Sequence, residues 1–268
     1  MATLERSTLD AVVLAGAPNT GRLSEISDEQ YEALIDLGGK PIVRYPVEAL
    51  LAARTIGPVV VVGPPAELKE ALAGLDVEII PPAGGMFENA LAGCRHIAAR
   101  AGERNRLVFF ASADSPLITP EVVDGLVETC LARGGDLFYP VLERSVMEAK
   151  FPSTRRTYGR LRDGTYTGGN VFLVDAAVLE RERSTAEALI RARKNPLKLA
   201  QTLGFIFLVR LLLGRLTVPE LETHVSKTFN LTARAVIAPW AEIGIDVDKP
   251  EDLELVREHL VRSTPPGV

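Results

Sequence analysis

Short, almost unbroken apolar runs recur along the first half of this chain. Each is followed by a loop rich in glycine or proline and then by a segment with helical spacing. The runs are Asp10 to Ala15 (DAVVLA), Gly57 to Gly63 (GPVVVVG) and Leu107 to Ser112 (LVFFAS). A strand with one wet face alternates apolar and polar residues, so continuous runs this short suit strands covered on both faces. Val77 to Ile80 reads as a further strand, and helices are predicted over Pro41 to Arg54, 65 to 74, Asn89 to Ala101 and Pro120 to Arg133. This alternation predicts an α/β fold whose sheet is mostly parallel and doubly wound, with helices on both faces. Ligands of such sheets bind outside the carboxyl ends of the strands. Gly16, Gly84-Gly85 and Asp114 all fall there, so a shared site is expected.

The second half is less regular. Leu137 to Val141, Val171 to Val174, 233 to 238 and 243 to 247 read as strands, residues 142 to 166 as a polar stretch, and 176 to 223 as mostly helical. Glu251 to Val261 reads as a closing helix. The expected organisation is one domain over 1–262, with a helical insertion at about 180–232 and a disordered tail at 263–268. Residues 196–216, PLKLAQTLGFIFLVRLLLGRL, form the most apolar part of the insertion. At 11 residues its core window, Leu203 to Leu213, falls short of the roughly 20 needed to span a bilayer. It reads as a buried or homodimer helix, with peripheral membrane contact as the alternative.

The formal net charge of -5 argues against broad nucleic-acid binding, which rests on clustered Lys and Arg. Cys94 and Cys130 read as free thiols, and the polar N-terminus lacks a signal-peptide pattern, so a cytoplasmic location is expected. His96, His224 and His259 lack metal-ligand spacing.

Several constellations carry chemistry. Leu14, Ala15, Gly16 and Ala17 make a small-residue turn after a strand, which lets backbone N–H groups approach phosphates, and Arg22 can grip them bidentately. No GxxxxGK[ST] is present, so this is not a P-loop. Lys40, opening the helix after Gly38-Gly39, is a second candidate phosphate cation. Asp114, in Asp114-Ser115-Pro116, stands where a strand-end carboxylate can hold Mg²⁺ together with substrate phosphates. Gly85 and Asn89 flank a loop-to-helix step, and Asn89 offers both donor and acceptor to a base edge. Lys150, Arg155 and Arg156 gather cations in an acidic chain, which suits an anionic acceptor. Of the aspartates in Gly244-Ile245-Asp246-Val247-Asp248, one is a candidate second metal carboxylate and one a helix cap.

In order, LAGAPNTGRL, ALIDLGGKPIVRYPVEAL and SADSPLITPE resemble the nucleotidyltransferase superfamily with a GT-A-like Rossmann core, most closely its MobA-like and sugar-phosphate members. The resemblance spans about 10–140 and returns near 168–175 and 244–256. It implies Mg²⁺ held by Asp114 and Asp246, a base-reading loop at Gly85 and Asn89, and an acceptor-side turn at Gly169 and Asn170. Lys150 and Arg156 would then hold the acceptor. The implied reaction moves a nucleotidyl group from a nucleoside triphosphate to a sugar-, polyol- or cofactor-phosphate and releases pyrophosphate, with Arg22, Lys40 and Asp114 as its catalytic residues. Two departures stand out. Ala17 replaces a second glycine, and Glu32 occupies the place of a phosphate-binding lysine. A non-catalytic nucleotide-binding protein, and a glycosyltransferase with its metal at Asp246 and Asp248, remain the alternatives.

Overall fold

Leu9–Leu14 forms β1, the strand about which the sheet is organised. It pairs in parallel with β2 (Ile56–Val62) on one side and β4 (Leu107–Ser112) on the other. Strand β3 (Glu78–Ile80) extends the parallel half beyond β2. The structure, a computed structural model, describes residues 8–101, 107–184, 187 and 204–263.

The mixed half begins where β8 (Val171–Asp175) lies antiparallel against β4. Strand β5 (Leu137–Glu143) follows it, carrying β7 (Thr165–Gly168) antiparallel and β9 (Ala233–Ile237) parallel. The two-residue β6 (Gly159–Arg160) closes a hairpin with β7. The path β3-β2-β1-β4-β8-β5-β7-β6, with β9 on β5, gives the mostly parallel centre expected and places the reversal of strand order beside β1.

Alternation along β1 explains the two helical layers. Ala11 and Val13 face one core, with α1 (Arg44–Ala52) and α4 (Pro120–Arg133); Val12 faces the other, with α3 (Met86–Ala101) and α6 (Ala176–Arg181). Chain order supplies α2 (Pro65–Ala71), α5 (Arg144–Lys150), α7 (Phe205–Leu212), α8 (Val218–Thr228) and α9 (Pro250–Ser263). Gly93 lets α3 lie close on β1: a Cβ there would meet both Val12 methyl groups at 2.8 Å. Gly93→Ala is therefore expected to destabilise the fold by about 1–3 kcal/mol. Urea unfolding measures it, and an unchanged midpoint would contradict the close approach.

Several elements differ from the sequence reading. The polar stretch 142–166 contains α5 and the β6–β7 hairpin, because Met147, Phe151 and Tyr166 bury large side chains among its charges. Residues 243–247 do not join the sheet. A 3₁₀ turn at Ala241–Gly244 precedes an extended piece whose Val247 N–H donates to the Asp114 carbonyl at 3.0 Å. Helix α3 starts at Met86, ahead of Asn89. Of the long apolar helix expected over 196–216, the described part is α7, and 196–203 lie outside the described residues. Gly214 (φ 63°) ends it: its N–H donates to Leu211, and the N–H of Arg215 reaches back to Arg210 at 2.8 Å. Ser263, expected in the tail, still belongs to α9, and 264–268 lie outside the described residues.

Candidate active site

Parallel register brings the first two loops together. Leu14 pairs with Ser112, and the Ala113 N–H donates to the Leu14 carbonyl at 3.0 Å. The turn after β1 and the Asp114 loop after β4 therefore leave the sheet side by side. Ala15 is buried, its N–H given to Val62, and Gly16 has little room: a Cβ there would lie 3.2 Å from Asn89 Nδ2 and 3.4 Å from Pro82 Cβ. The Ala17 carbonyl accepts from the Glu32 N–H at 3.2 Å, which folds the long loop back over the strand ends.

Because β8 runs opposite to β4, its beginning sits at this edge. Ala111 faces Val171, and the Ser112 N–H approaches the Asn170 carbonyl at 3.4 Å. Gly169 donates to Pro140 and Asn170 to Ile243, which ties the 241–248 segment to the same edge. The Val247–Asp114 hydrogen bond then sets Asp246 and Asp248 beside Asp114. Asn170 Nδ2 is buried without an acceptor among the described residues. A buried donor in that state is costly unless something else accepts from it.

The carboxylates repel one another. Burial foremost, then Asp246, Asp248 and Glu32, push the Asp114 carboxyl up to about 7, against a hydrogen bond from Ser112. Glu32 is likewise raised, by burial and by Asp248. Asp248 is raised by burial, Asp246 and Asp252. Arg156 answers part of this charge. Its guanidinium lies 3.0 Å from Asp246 and also meets the Thr167 hydroxyl and the Gly168 carbonyl.

Of these groups Arg156, Asp246 and Asp248 line a cavity of about 430 Å³, together with Arg22, Arg155 and Lys249. Arg22 reaches it from the first loop while pairing with Glu251 at 3.0 Å. Two other expected cations lie away from that lining. Lys40 pairs with Glu48 and sits 4.2 Å over the Tyr45 ring. Lys150 pairs with Glu242, and Tyr45, Glu48, Lys150 and Glu242 line a separate depression. Asn89 is buried, and its Oδ1 accepts the N–H groups of Ala83 and Gly84, so its acceptor is spent on the loop. Gly85 holds the start of α3 by accepting from the Asn89 N–H at 2.9 Å. Sequence reasoning had not placed Lys249 or Asp252 in the site. Their signal was adjacency to Asp246 and Asp248, in the segment that opens the last helix.

Tight turns at a strand-order reversal, with carboxylates and arginines in one cavity beside them, are where an α/β enzyme of this plan would hold a charged ligand. Comparison with known proteins makes the class nucleotidyltransferase. The profile of the MobA-like NTP transferase domain matches residues 11–198, and the chain belongs to that family. It is 31% identical over 156 residues to a 2-C-methyl-D-erythritol 4-phosphate cytidylyltransferase of Bordetella petrii, covering 57% of this chain and 67% of that one. A solved structure of a hypothetical transferase from Thermus thermophilus matches with a TM-score of 0.81 at 34% identity, over 92% of this chain and 99% of that one. A 4-diphosphocytidyl-2C-methyl-D-erythritol synthase from Anaerococcus prevotii shares the fold, with a TM-score of 0.57 at 11% identity over 96% of this chain and 98% of the other.

Proposed function

We propose that this nucleotidyltransferase moves the nucleoside monophosphate group of a nucleoside triphosphate onto a phosphorylated small molecule and releases pyrophosphate. The observation that carries the reading is that the loops after β1 and β4 leave the sheet side by side, with Asp246 beside Asp114 and its partner Arg156 lining the neighbouring cavity.

The backbone N–H groups of the Gly16–Ala17 turn would lie along the donor phosphates, and Arg22 and Lys249 would offset charge on the leaving pyrophosphate. Lys40 would contribute only by leaving Glu48. Arg155 and Arg156 would hold the acceptor phosphate. Asn170 would donate its unpaired Nδ2 proton to an acceptor oxygen. An acceptor phosphate oxygen then attacks the α-phosphorus in line. A new P–O bond forms as the bond to the β-phosphate bridge breaks, and the electron pair leaves with pyrophosphate. Such a step needs positioning and charge compensation and no protein nucleophile.

The residues present fit a hard divalent cation. Among the described residues no three His, Cys, Asp or Glu side chains are arranged to hold a metal. Magnesium, however, binds through one or two carboxylates plus substrate phosphates, and Asp114 and Asp246 would be that pair. When bound, it would neutralise phosphate charge. The Asp114 carboxyl, raised by burial and then by Asp246, Asp248 and Glu32, supports this reading, since a cation there would offset its charge.

The cytidylyltransferase relative makes CTP the donor to try first. Incubation of the chain with each nucleoside triphosphate, Mg²⁺ and a panel of sugar and polyol phosphates is expected to release pyrophosphate with one donor–acceptor pair. Nucleotide binding without release across the panel would refute the reading, as would release of a nucleoside diphosphate from a nucleotide sugar.

A further inference from the structure

We propose that the outward face of α7, with Arg160, Arg162 and Arg215 beside it, docks onto an anionic lipid membrane. The proposal stands apart from the reaction assigned above.

The face is unusual for a buried helix. Phe205, Ile206 and Leu212 are 71%, 76% and 77% exposed, and Leu213, just past the helix, is 59% exposed. Phe205 and Leu212 are two turns apart, as are Ile206 and Leu213, so the four line one stripe. The opposite side serves the fold: Leu208 is buried, and Arg210 turns to Glu220 at 2.6 Å.

Positive charge gathers where this stripe ends. After Leu213 the chain turns at Gly214, where a Cβ would lie 3.1 Å from the Arg160 carbonyl oxygen. The Arg162 N–H donates to the Leu216 carbonyl at 2.8 Å. Arg160, Arg162 and Arg215 thus collect at one end of the apolar stripe. All three are exposed, and none forms an ion pair with another described residue. This local excess runs against the net charge of -5 of the whole chain.

An apolar stripe with cations at its edge is the pattern of a helix that lies in the headgroup region. The apolar side chains enter the acyl boundary, and the arginines meet anionic headgroups. A second copy of this chain fits less well: two-fold pairing sets the patch against its own copy, whose charge beside the stripe is also positive. No helix among the described residues is long and apolar enough to cross a membrane, so the contact is one of lying on the surface. The β6–β7 hairpin links this surface to the cavity. It carries Arg160 near one end, and Thr167 and Gly168, which hold Arg156, at the other.

Vesicle co-sedimentation of the full chain tests the proposal. Mixed phosphatidylcholine–phosphatidylglycerol vesicles should bind it at low salt, and vesicles of phosphatidylcholine alone about tenfold or more weakly. Raising the salt should weaken the first by a similar factor. Leu212→Glu with Leu213→Glu should abolish binding, and Arg160→Glu with Arg162→Glu should weaken it about tenfold or more. Both variants should melt like the parent, because all four side chains are at the surface. Binding to neither vesicle overturns the proposal. So does a parent dimer that Leu212→Glu dissolves, which would give the face to a second copy. Protection of Leu212→Cys from a hydrophilic maleimide in the monomer also overturns it, by showing that another segment of the chain covers the stripe.

Discussion

Asp114→Ala is expected to lower pyrophosphate release from a nucleoside triphosphate by about a thousandfold or more while the protein remains folded. The side chain stands just beyond the end of β4, beside the turn after β1, and its backbone carbonyl binds Val247. Alanine keeps that backbone bond and removes only the carboxylate. The loss should therefore fall on turnover rather than on melting temperature. Lys40→Ala serves as the contrast. Its ammonium is already held by Glu48 and Tyr45, so it should cost less than about tenfold. Turnover of Asp114→Ala within a few-fold of the parent would remove Asp114 from the reaction.

The same carboxylate should make the metal-free protein lose stability as pH rises. Burial and its acidic neighbours push the Asp114 carboxyl up to about 7, from an unfolded value near 4. Between those values the folded chain holds a proton that the unfolded chain has lost. Its stabilising contribution is complete below about pH 4 and gone once pH has passed about 7. Three pKa units correspond to at most about 4 kcal/mol, less where water reaches the group. Asp114→Asn removes the titration. In the presence of a chelator it should be more stable than the parent near pH 8, with the advantage shrinking toward about pH 5. Added Mg²⁺ should stabilise the parent near pH 8 and leave Asp114→Asn little changed. Urea unfolding across this range checks the sign. Parallel profiles for parent and variant would show that Asp114 carries no such strain.

The parallel half of the fold was legible because its signals are local. Four valines in a row, a Gly16 turn and an Asp114 step each declare a buried strand or its end within a few residues. The β6–β7 hairpin and α5 were hidden because charged residues outnumber the few apolar side chains that anchor them, Met147, Phe151 and Tyr166. Residues 243–247 have the composition of a strand, yet their hydrogen bonds go to the 114 and 170 loops, partners that a linear reading cannot see. The sequence named the carboxylates after β4 and before α9, and the fold sets them side by side. The sequence did not name what the cations touch. Lys40 and Arg22 both follow glycine in the early loops, and only the folded chain turns one toward Glu48 and the other toward the cavity. Ion-pair choice depends on which surfaces meet, and sequence spacing does not record that.

The direction of β8 divides responsibility within the molecule. Gly16, Arg22 and Asp114 come from the stretch of gene that runs through β4 and the loop after it, whereas Arg156, Thr167 and Asn170 come from a later stretch that joins the sheet running the other way. The two sides of the strand-end site are therefore encoded by separate stretches of chain. Insertions or exchanges in the hairpin segment can reshape one wall while the parallel register beneath the other stays as it was. A lineage built on this plan can change one side of its site at a time.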